Sequence, residues 1–124
     1  MIFMLDANAL IALLSGASAS LQTKAVACDE GELVVSAIAF AEVAVGSWRG
    51  KRPSMIVLDQ LPRQIPVVPF DHIAAKHYAQ LPFRRGSYDR LIAAHALSLG
   101  LTLVTSNEGD FKDIFGLRVE NWAE

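Results

Sequence analysis

Short apolar segments alternate with helix-like segments along the whole chain, and this alternation most constrains the fold. The apolar segments have strand character and lie at residues 2–5, 33–35, 65–70, 101–104 and 117–120. Alternating strands and helices favour an α/β fold, and short, continuously apolar strands are typical of parallel sheets covered by helices on both faces. We therefore predict a three-layer sandwich around a central, mostly parallel sheet.

Capping residues delimit the helices that are predicted between these strands. Ser36, Asp71 and Ser87 are good N-caps, and Gly100 can end the helix that follows Ser87. The predicted helices span residues 7–14, 18–28, 37–48, 53–61, 72–80 and 88–99.

Local composition adds four expectations about these elements. Pro53 suits the first turn of its helix, and Asp110 is expected to open a short helical turn. The helix over residues 37–48 is apolar on nearly every face, which predicts that it is buried. The prolines within residues 65–70 place that strand near a sheet edge.

The totals indicate one domain over residues 1–124, because 124 residues of which 52% are hydrophobic can build one packed core. The single cysteine, Cys28, forms no internal disulfide, which fits a reducing cytoplasm, and we expect it to be buried and inert. The amino-terminal stretch has no basic region and Asp6 interrupts it, so we expect neither a signal peptide nor a membrane span.

The net charge is −2, so no overall positive field attracts nucleic acid. However, eight of the eleven lysines and arginines lie between Arg49 and Arg90. This segment forms either a local basic surface or an ordinary solvated face.

Four acidic residues have positions that suggest a shared site, since ligands of such sheets bind beyond the carboxyl ends of the strands. Asp6 directly follows the first strand, and Asp110 follows the fourth after a short loop. Asp89 opens a helix whose amino end can reach the same rim. Glu42 has no charged neighbour within five residues on either side. Burying its carboxylate unpaired would be costly.

Each of these acids also has a simpler explanation. Asp6 and Asp110 can cap helices, Asp89 can interact with a helix dipole, and Glu42 can pair with an arginine. If all four gather, they need a cation, because like charges raise each other's pKa. Their oxygen ligands suit Mg²⁺ or Mn²⁺, and the His and Cys patterns of zinc sites are absent.

Four motifs, in order and over nearly the whole chain, resemble those of a known family. They read MLDANALIALL, SAIAFAEVAVG, YDRLIAAHALSLGLTLVTSNEGDF and GLRVENW. The first three resemble the motifs of PIN-domain proteins, and the fourth resembles the ending of VapC ribonucleases from type II toxin–antitoxin pairs.

The resemblance implies a PIN-like parallel-sheet sandwich with Mg²⁺- or Mn²⁺-dependent endoribonuclease activity on single-stranded or loop regions of RNA, with tRNA as one candidate. It also implies that a VapB-like antitoxin inhibits the protein and that the protein forms a homodimer. With the antitoxin bound, the larger assembly would be a dimer of toxin–antitoxin dimers.

Carried over by position, the resemblance makes four residues metal ligands and catalytic groups, namely Asp6, Glu42, Asp89 and Asp110. It gives supporting roles to Asn8, Thr105 and Asn107, with Thr105 in the position that supports the first aspartate. Phosphate contacts are expected from Arg84, Arg85 and Arg90, and base stacking from Trp48 or Tyr88. Trp48 also suits the core or a dimer interface, and Tyr88 packing on the sheet.

One departure is the short connection between Gln80 and Asp89, which shortens a wall of the expected groove. The alternatives are a housekeeping RNA-maturation nuclease of the same fold and a non-enzymatic α/β binding module. A phosphate-accepting receiver domain would need a lysine on a late strand, and the first lysine after residues 101–105 is Lys112. His95 lies in an apolar helix and is expected in the core, and His72 and His77 lack the spacing of a helical metal pair.

Overall fold

The structure is a computed structural model that describes residues 1–83 and 87–123. In this part of the chain, all strands belong to one sheet whose spatial order is β3-β2-β1-β4-β5. Every pairing is parallel, which confirms the predicted parallel sheet. The strands are β1 (Phe3–Leu5), β2 (Leu33–Ser36), β3 (Val67–Val68), β4 (Thr102–Val104) and β5 (Val119–Glu120). The Pro-flanked β3 lies at an edge, as expected.

The helices connect the strands in two groups. Right-handed crossovers place α1–α4, which lead from β1 to β3, on one face and α5 and α6, which lead back to β4, on the other. The helices are α1 (Ala7–Ser15), α2 (Ala19–Val26), α3 (Ala37–Trp48), α4 (Met55–Gln60), α5 (His72–Ala79) and α6 (Tyr88–Leu99). Two 3₁₀ turns cover Leu61–Arg63 and Glu108–Phe111.

The core lies between these layers, where the central strands contribute fully buried side chains such as Met4, Val34 and Leu103. The order in which strands are added reverses between β1 and β4. The chain adds β2 and then β3 on one side of β1, and then adds β4 and β5 on its other side. A crevice at the carboxyl ends of the strands is expected at this switch point.

Two predicted helix starts are wrong. Helix α4 begins at Met55 instead of Pro53, because Ser54 caps it by accepting the Val57 N–H, and the buried Pro53 accepts a hydrogen bond from Ser47 of α3. The last 3₁₀ turn begins at Glu108, so Asp110 lies inside it instead of opening it.

Helix α3 is not buried on every face, contrary to expectation. Its inner face consists of Ala39, Val43 and Ser47, whereas the opposite face is exposed. The sheet and its neighbouring helices cover only one side of α3, so composition alone overestimated its burial. Trp48 on the outer face is 82% exposed, which excludes it from the core of the monomer.

Two smaller expectations are tested by burial. His95 is buried, as predicted, whereas Cys28 is only partly buried at the end of α2. Among the described residues, no single helix is long and apolar enough to span a membrane, and only α1 and α2 taken together pass on length and composition, with a bend of 96° between them.

Gly100 ends α6 in the left-handed region, with φ +67°. We expect Gly100→Ala to lower the free energy of unfolding by about 1 kcal/mol, because a side chain disfavours this conformation although no atom lies near its Cβ position. Urea denaturation measures the change. Gly109→Ala is the matched control, since Gly109 also has open space but no positive φ. Equal losses in the two variants would contradict the conformational explanation.

Candidate metal centre

Asp6 lies immediately after β1, at the switch point of the sheet. Its Oδ1 accepts the Ala9 N–H at 2.8 Å and so caps α1, and the Thr105 side chain also hydrogen-bonds to its carboxylate. Asp6 is only 2% exposed. Burial raises the pKa of Asp6, the two hydrogen bonds lower it, and the charge of Asp89 raises it further. Asp6 is therefore a helix cap, as the simpler explanation expected. A cap alone does not require a second carboxylate nearby, yet the charge of Asp89 acts on Asp6.

Glu42 lies on α3, at the margin between its buried and exposed faces. Its Oε1 atom is buried and has no hydrogen-bond partner among the described residues. Burial raises the pKa of Glu42, and the charges of Asp89 and Asp6 raise it further. No described lysine or arginine forms a salt bridge with Glu42, so the arginine-paired explanation finds no support in this part of the chain.

Asp89 and Asp110 complete the group. Asp89 lies in the first turn of α6, where burial and the charge of Asp110 raise its pKa and Arg90 lowers it. Asp110 is exposed on the 3₁₀ turn after β4. Helix α6 runs back toward the start of β4, so its amino end lies at the rim where the strands end. The topology thus places Asp6, Glu42 and Asp110, which are distant in the sequence, close enough to Asp89 for their charges to interact with it.

This group fits a hard divalent cation. Its members are all oxygen donors, their charges repel one another, and the buried Oε1 of Glu42 has no described partner. Among the described residues, no three acidic, histidine or cysteine side chains already surround a single ion-sized position. Binding would therefore require the carboxylates to close on the ion.

Of the three residues expected to support the site, Thr105 contacts Asp6. Thr105 is buried at the end of β4, and its Oγ1 accepts the Asn107 N–H at 3.0 Å. This arrangement links the loop that leads to Asp110 with the side chain that bonds Asp6. The Asn8 and Asn107 side chains are exposed, and Asn8 lines a small hollow together with Thr105.

The expected phosphate contact of Arg90 is not supported. Arg90 is only 2% exposed, and its Nη2 donates to both carboxylate oxygens of Asp113, at 2.8 and 3.0 Å. It holds the segment after the 3₁₀ turn against α6 and faces away from solvent. Sequence reasoning missed Asp113, since nothing local pairs residues 23 positions apart. Arg84 and Arg85 lie outside the described residues.

The two aromatic candidates for base stacking are both exposed. Tyr88 is 59% exposed, so it does not simply pack on the sheet. It lines a hollow of about 230 Å³ together with Glu42 and the apolar residues Ile38, Ala41 and Val45. An aromatic surface therefore lies directly beside one of the four carboxylates.

Comparisons with known proteins identify the family of the chain. The family model described as PIN domain matches residues 3–116. The tRNA(fMet)-specific endonuclease VapC of Shigella flexneri is 30% identical over 130 residues, covering 98% of both chains. Ribonuclease VapC2 of Rickettsia felis is 28% identical and also covers 98% of both.

Solved structures show the same similarity. DNA-bound VapBC from Salmonella typhimurium superposes with a TM-score of 0.86 at 28% identity, covering 98% of both chains. VapBC2 from Rickettsia felis, bound to a promoter DNA fragment, also has a TM-score of 0.86, at 27% identity, covering 98% of this chain and 99% of that one. The family model shows that the chain belongs to the PIN-domain family, and the chain is similar over nearly its whole length to VapC proteins.

Proposed function

We propose that this chain is a cytoplasmic endoribonuclease that depends on Mg²⁺ or Mn²⁺ and serves as the toxin of a type II toxin–antitoxin pair. The observation that carries the proposal is the group formed by Asp6, Glu42, Asp89 and Asp110, in which the buried Oε1 of Glu42 has no hydrogen-bond partner among the described residues. A binding module without an active site would leave this repulsive arrangement unexplained.

The residues of the site have the following proposed roles. Asp6 and Asp89 would be the main ligands of the cation, and Glu42 and Asp110 would complete the site. When bound, the ion makes a water more acidic and stabilises negative charge on the phosphate. Thr105 and the α1 cap orient the Asp6 carboxylate. The Oε1 of Glu42, which has no hydrogen-bond partner among the described residues, is free to bind the ion or to accept a proton from a water in the site.

The substrate class follows from the surroundings of the site. Single-stranded or looped RNA can turn a base out to stack on an exposed aromatic ring, whereas the bases of a duplex are not free to do so. Tyr88 offers such a ring beside Glu42. Because the relative from Shigella flexneri is named a tRNA(fMet)-specific endonuclease, we include tRNA among the substrates to test.

The direct test is cleavage of a labelled RNA hairpin and of total tRNA by the purified protein in Mg²⁺, Mn²⁺ or EDTA. We expect cleavage in loop regions with either ion and none in EDTA. A DNA hairpin of the same sequence serves as the substrate control. Cleavage that persists in EDTA, or no cleavage of any RNA with either ion, would contradict the proposal.

A VapB-like antitoxin is the proposed partner, because the similar solved structures are toxin–antitoxin complexes. We expect a short reading frame directly upstream to encode a DNA-binding protein that co-purifies with this chain and suppresses cleavage. A housekeeping RNA-maturation nuclease would lack such a neighbour, and its expression alone would not arrest growth. Co-expression with and without the upstream frame separates the two.

The exposed face of α3 is the proposed homodimer interface. Ile38, Ala41, Val45 and Trp48 recur at intervals of three and four residues and carry no charge, so they form an apolar stripe opposite the buried face. Trp48 projects at the carboxyl end of this stripe, and the other three stripe residues line the hollow beside Tyr88. A two-fold axis near the Trp48 end of the stripe would bring the two Trp48 side chains together and leave the hollow beside Tyr88 open to RNA.

We expect Trp48→Ala to weaken dimerisation by roughly thirtyfold, which corresponds to about 2 kcal/mol for an interface aromatic. Sedimentation over a concentration series measures the dissociation constant. Phe115→Ala is the matched control, because Phe115 is also an exposed aromatic residue but lies outside the stripe. Equal effects of the two variants, or none from Trp48→Ala, would place the interface elsewhere.

A further inference from the structure

His95 is a buried titratable residue that the proposed mechanism does not use. It lies on the inner side of α6 and is 1% exposed. Its Nδ1 lies 2.8 Å from the Oγ of Ser36, which is fully buried at the end of β2. The same Ser36 Oγ accepts the Ile38 N–H at 3.1 Å and caps α3. One side-chain contact therefore joins the beginning of α3 to the middle of α6.

The remaining contacts of the ring indicate which of its two nitrogens carries the proton. Burial lowers the pKa of His95, so the imidazole is neutral and has one donor and one acceptor nitrogen. The ring also hydrogen-bonds to the backbone carbonyl of Pro69, which can only accept. The proton is therefore assigned to the nitrogen that faces Pro69, and Nδ1 accepts the Ser36 hydroxyl. Every polar atom of this junction then has a partner.

The junction lies at equal sequence distance from two of the proposed metal ligands. Glu42 follows Ser36 by six residues along α3, and Asp89 precedes His95 by six residues along α6. Six residues of helix correspond to about 9 Å. The two helices contact each other, and the charge of Asp89 raises the pKa of Glu42. The Ser36–His95 bond thus connects the two helical arms on which these carboxylates lie.

We propose that His95 is a positioning residue of the metal centre, which through Ser36 sets the separation of Glu42 and Asp89 and thereby the affinity for the divalent cation. The inference rests on the metal site of the proposed function. The reason is geometric. A helix that tilts about the Ser36–His95 contact moves little at that contact, but it moves a carboxylate about 9 Å along the helix by a larger distance. Groups that orient metal ligands commonly change metal affinity by about 10- to 100-fold when they are lost.

The test measures the dissociation constant of Mn²⁺ by calorimetry, together with the melting temperature, in protein without RNA. We expect Ser36→Ala and His95→Leu to weaken Mn²⁺ binding by about tenfold or more. His95→Asn should recover most of the affinity, because its amide oxygen can replace Nδ1 as the acceptor. Ser18→Ala is the control, since the Ser18 hydroxyl also caps a helix, by accepting the Leu21 N–H at the start of α2.

The outcomes separate the possible failures. If Ser36→Ala and His95→Leu lose no more Mn²⁺ affinity than Ser18→Ala at a comparable drop in melting temperature, the junction only stabilises the fold and the inference is wrong. Should His95→Leu fail to fold, Ser36→Ala still decides, because it keeps the imidazole in place. Wild-type protein that binds Mn²⁺ but cleaves no RNA would refute the proposed function and leave this inference standing. Wild-type protein that binds no Mn²⁺ would refute both.

Discussion

Asp6→Asn is expected to lower metal-dependent RNA cleavage by about 100-fold or more while the protein stays folded. Asparagine caps a helix as well as aspartate does, so the bond from the Ala9 N–H can persist. What disappears is the negative charge at the centre of the carboxylate group. Initial rates of hairpin cleavage in Mg²⁺, combined with a melting curve, measure both parts of this expectation.

Asp71→Asn is the matched control for this variant. Asp71 caps α5 in the same way, since its Oδ1 accepts the Ala74 N–H at 3.0 Å, but it is exposed and not one of the four acids. The same chemical change should therefore leave the cleavage rate close to that of the wild type. If Asp6→Asn retained full activity, or if both variants lost it equally, the assignment of Asp6 as a ligand would fail.

The stability of the protein is expected to depend strongly on divalent cations. The four carboxylates gather only in the folded state, so a divalent ion binds the folded protein and not the unfolded chain. Such binding stabilises the folded protein by about 2.7 kcal/mol when the ion concentration is 100 times the dissociation constant. Glu42→Gln should reduce this gain, since it removes one ligand charge. Urea denaturation in Mg²⁺ and in EDTA measures the difference. Absence of any Mg²⁺ effect on the wild type would favour a non-enzymatic module.

The same carboxylates determine how the metal-free protein responds to pH. Folding raises the pKa values of Asp6, Glu42 and Asp89 above their ordinary values of 3.8, 4.5 and 3.8. Their stabilising contribution is fully present below those ordinary values and is lost as the pH rises through the folded pKa values. In EDTA, this contribution therefore favours the fold more in mild acid than at neutral pH.

Glu42→Gln tests the sign of this effect. Replacing Glu42 removes the charge of a partly buried side chain and its repulsion with Asp6 and Asp89, so the metal-free variant should be more stable than the wild type at neutral pH and should lose less stability as the pH rises from mild acid to neutral. Asp71 acts in the opposite direction, because its pKa is lowered, but its contribution is lost only in stronger acid. A metal-free wild type that gains stability steadily up to pH 7 and a variant that behaves identically would contradict the explanation.

Much of the fold could be predicted because its signals are local. Apolar runs bounded by polar residues mark the strands, and the Ser36, Asp71 and Ser87 caps mark helix starts where the structure has them. The alternation of the two then leaves few topologies other than a parallel sheet with helices on both faces. The position of Asp6 after β1 follows from the same reasoning, since it needs only the end of a strand.

What the local pattern could not determine were pairings between distant residues. Arg90 has a basic sequence neighbourhood, yet the fold buries it against Asp113. The composition of α3 suggested complete burial, whereas only the arrangement of its neighbours decides which face stays exposed.

The sequence by itself determined the order of the elements, the edge position of β3 and the set of four acidic residues to consider. Only the tertiary structure decided which carboxylates interact, that Oε1 of Glu42 is buried without a described partner, and that His95 bonds Ser36, 59 positions away. The physical reason is that the spacing of apolar residues, helix capping and turn formation depend on residues that are near one another in the chain. Electrostatic contact and desolvation depend on which surfaces meet once the sheet has formed.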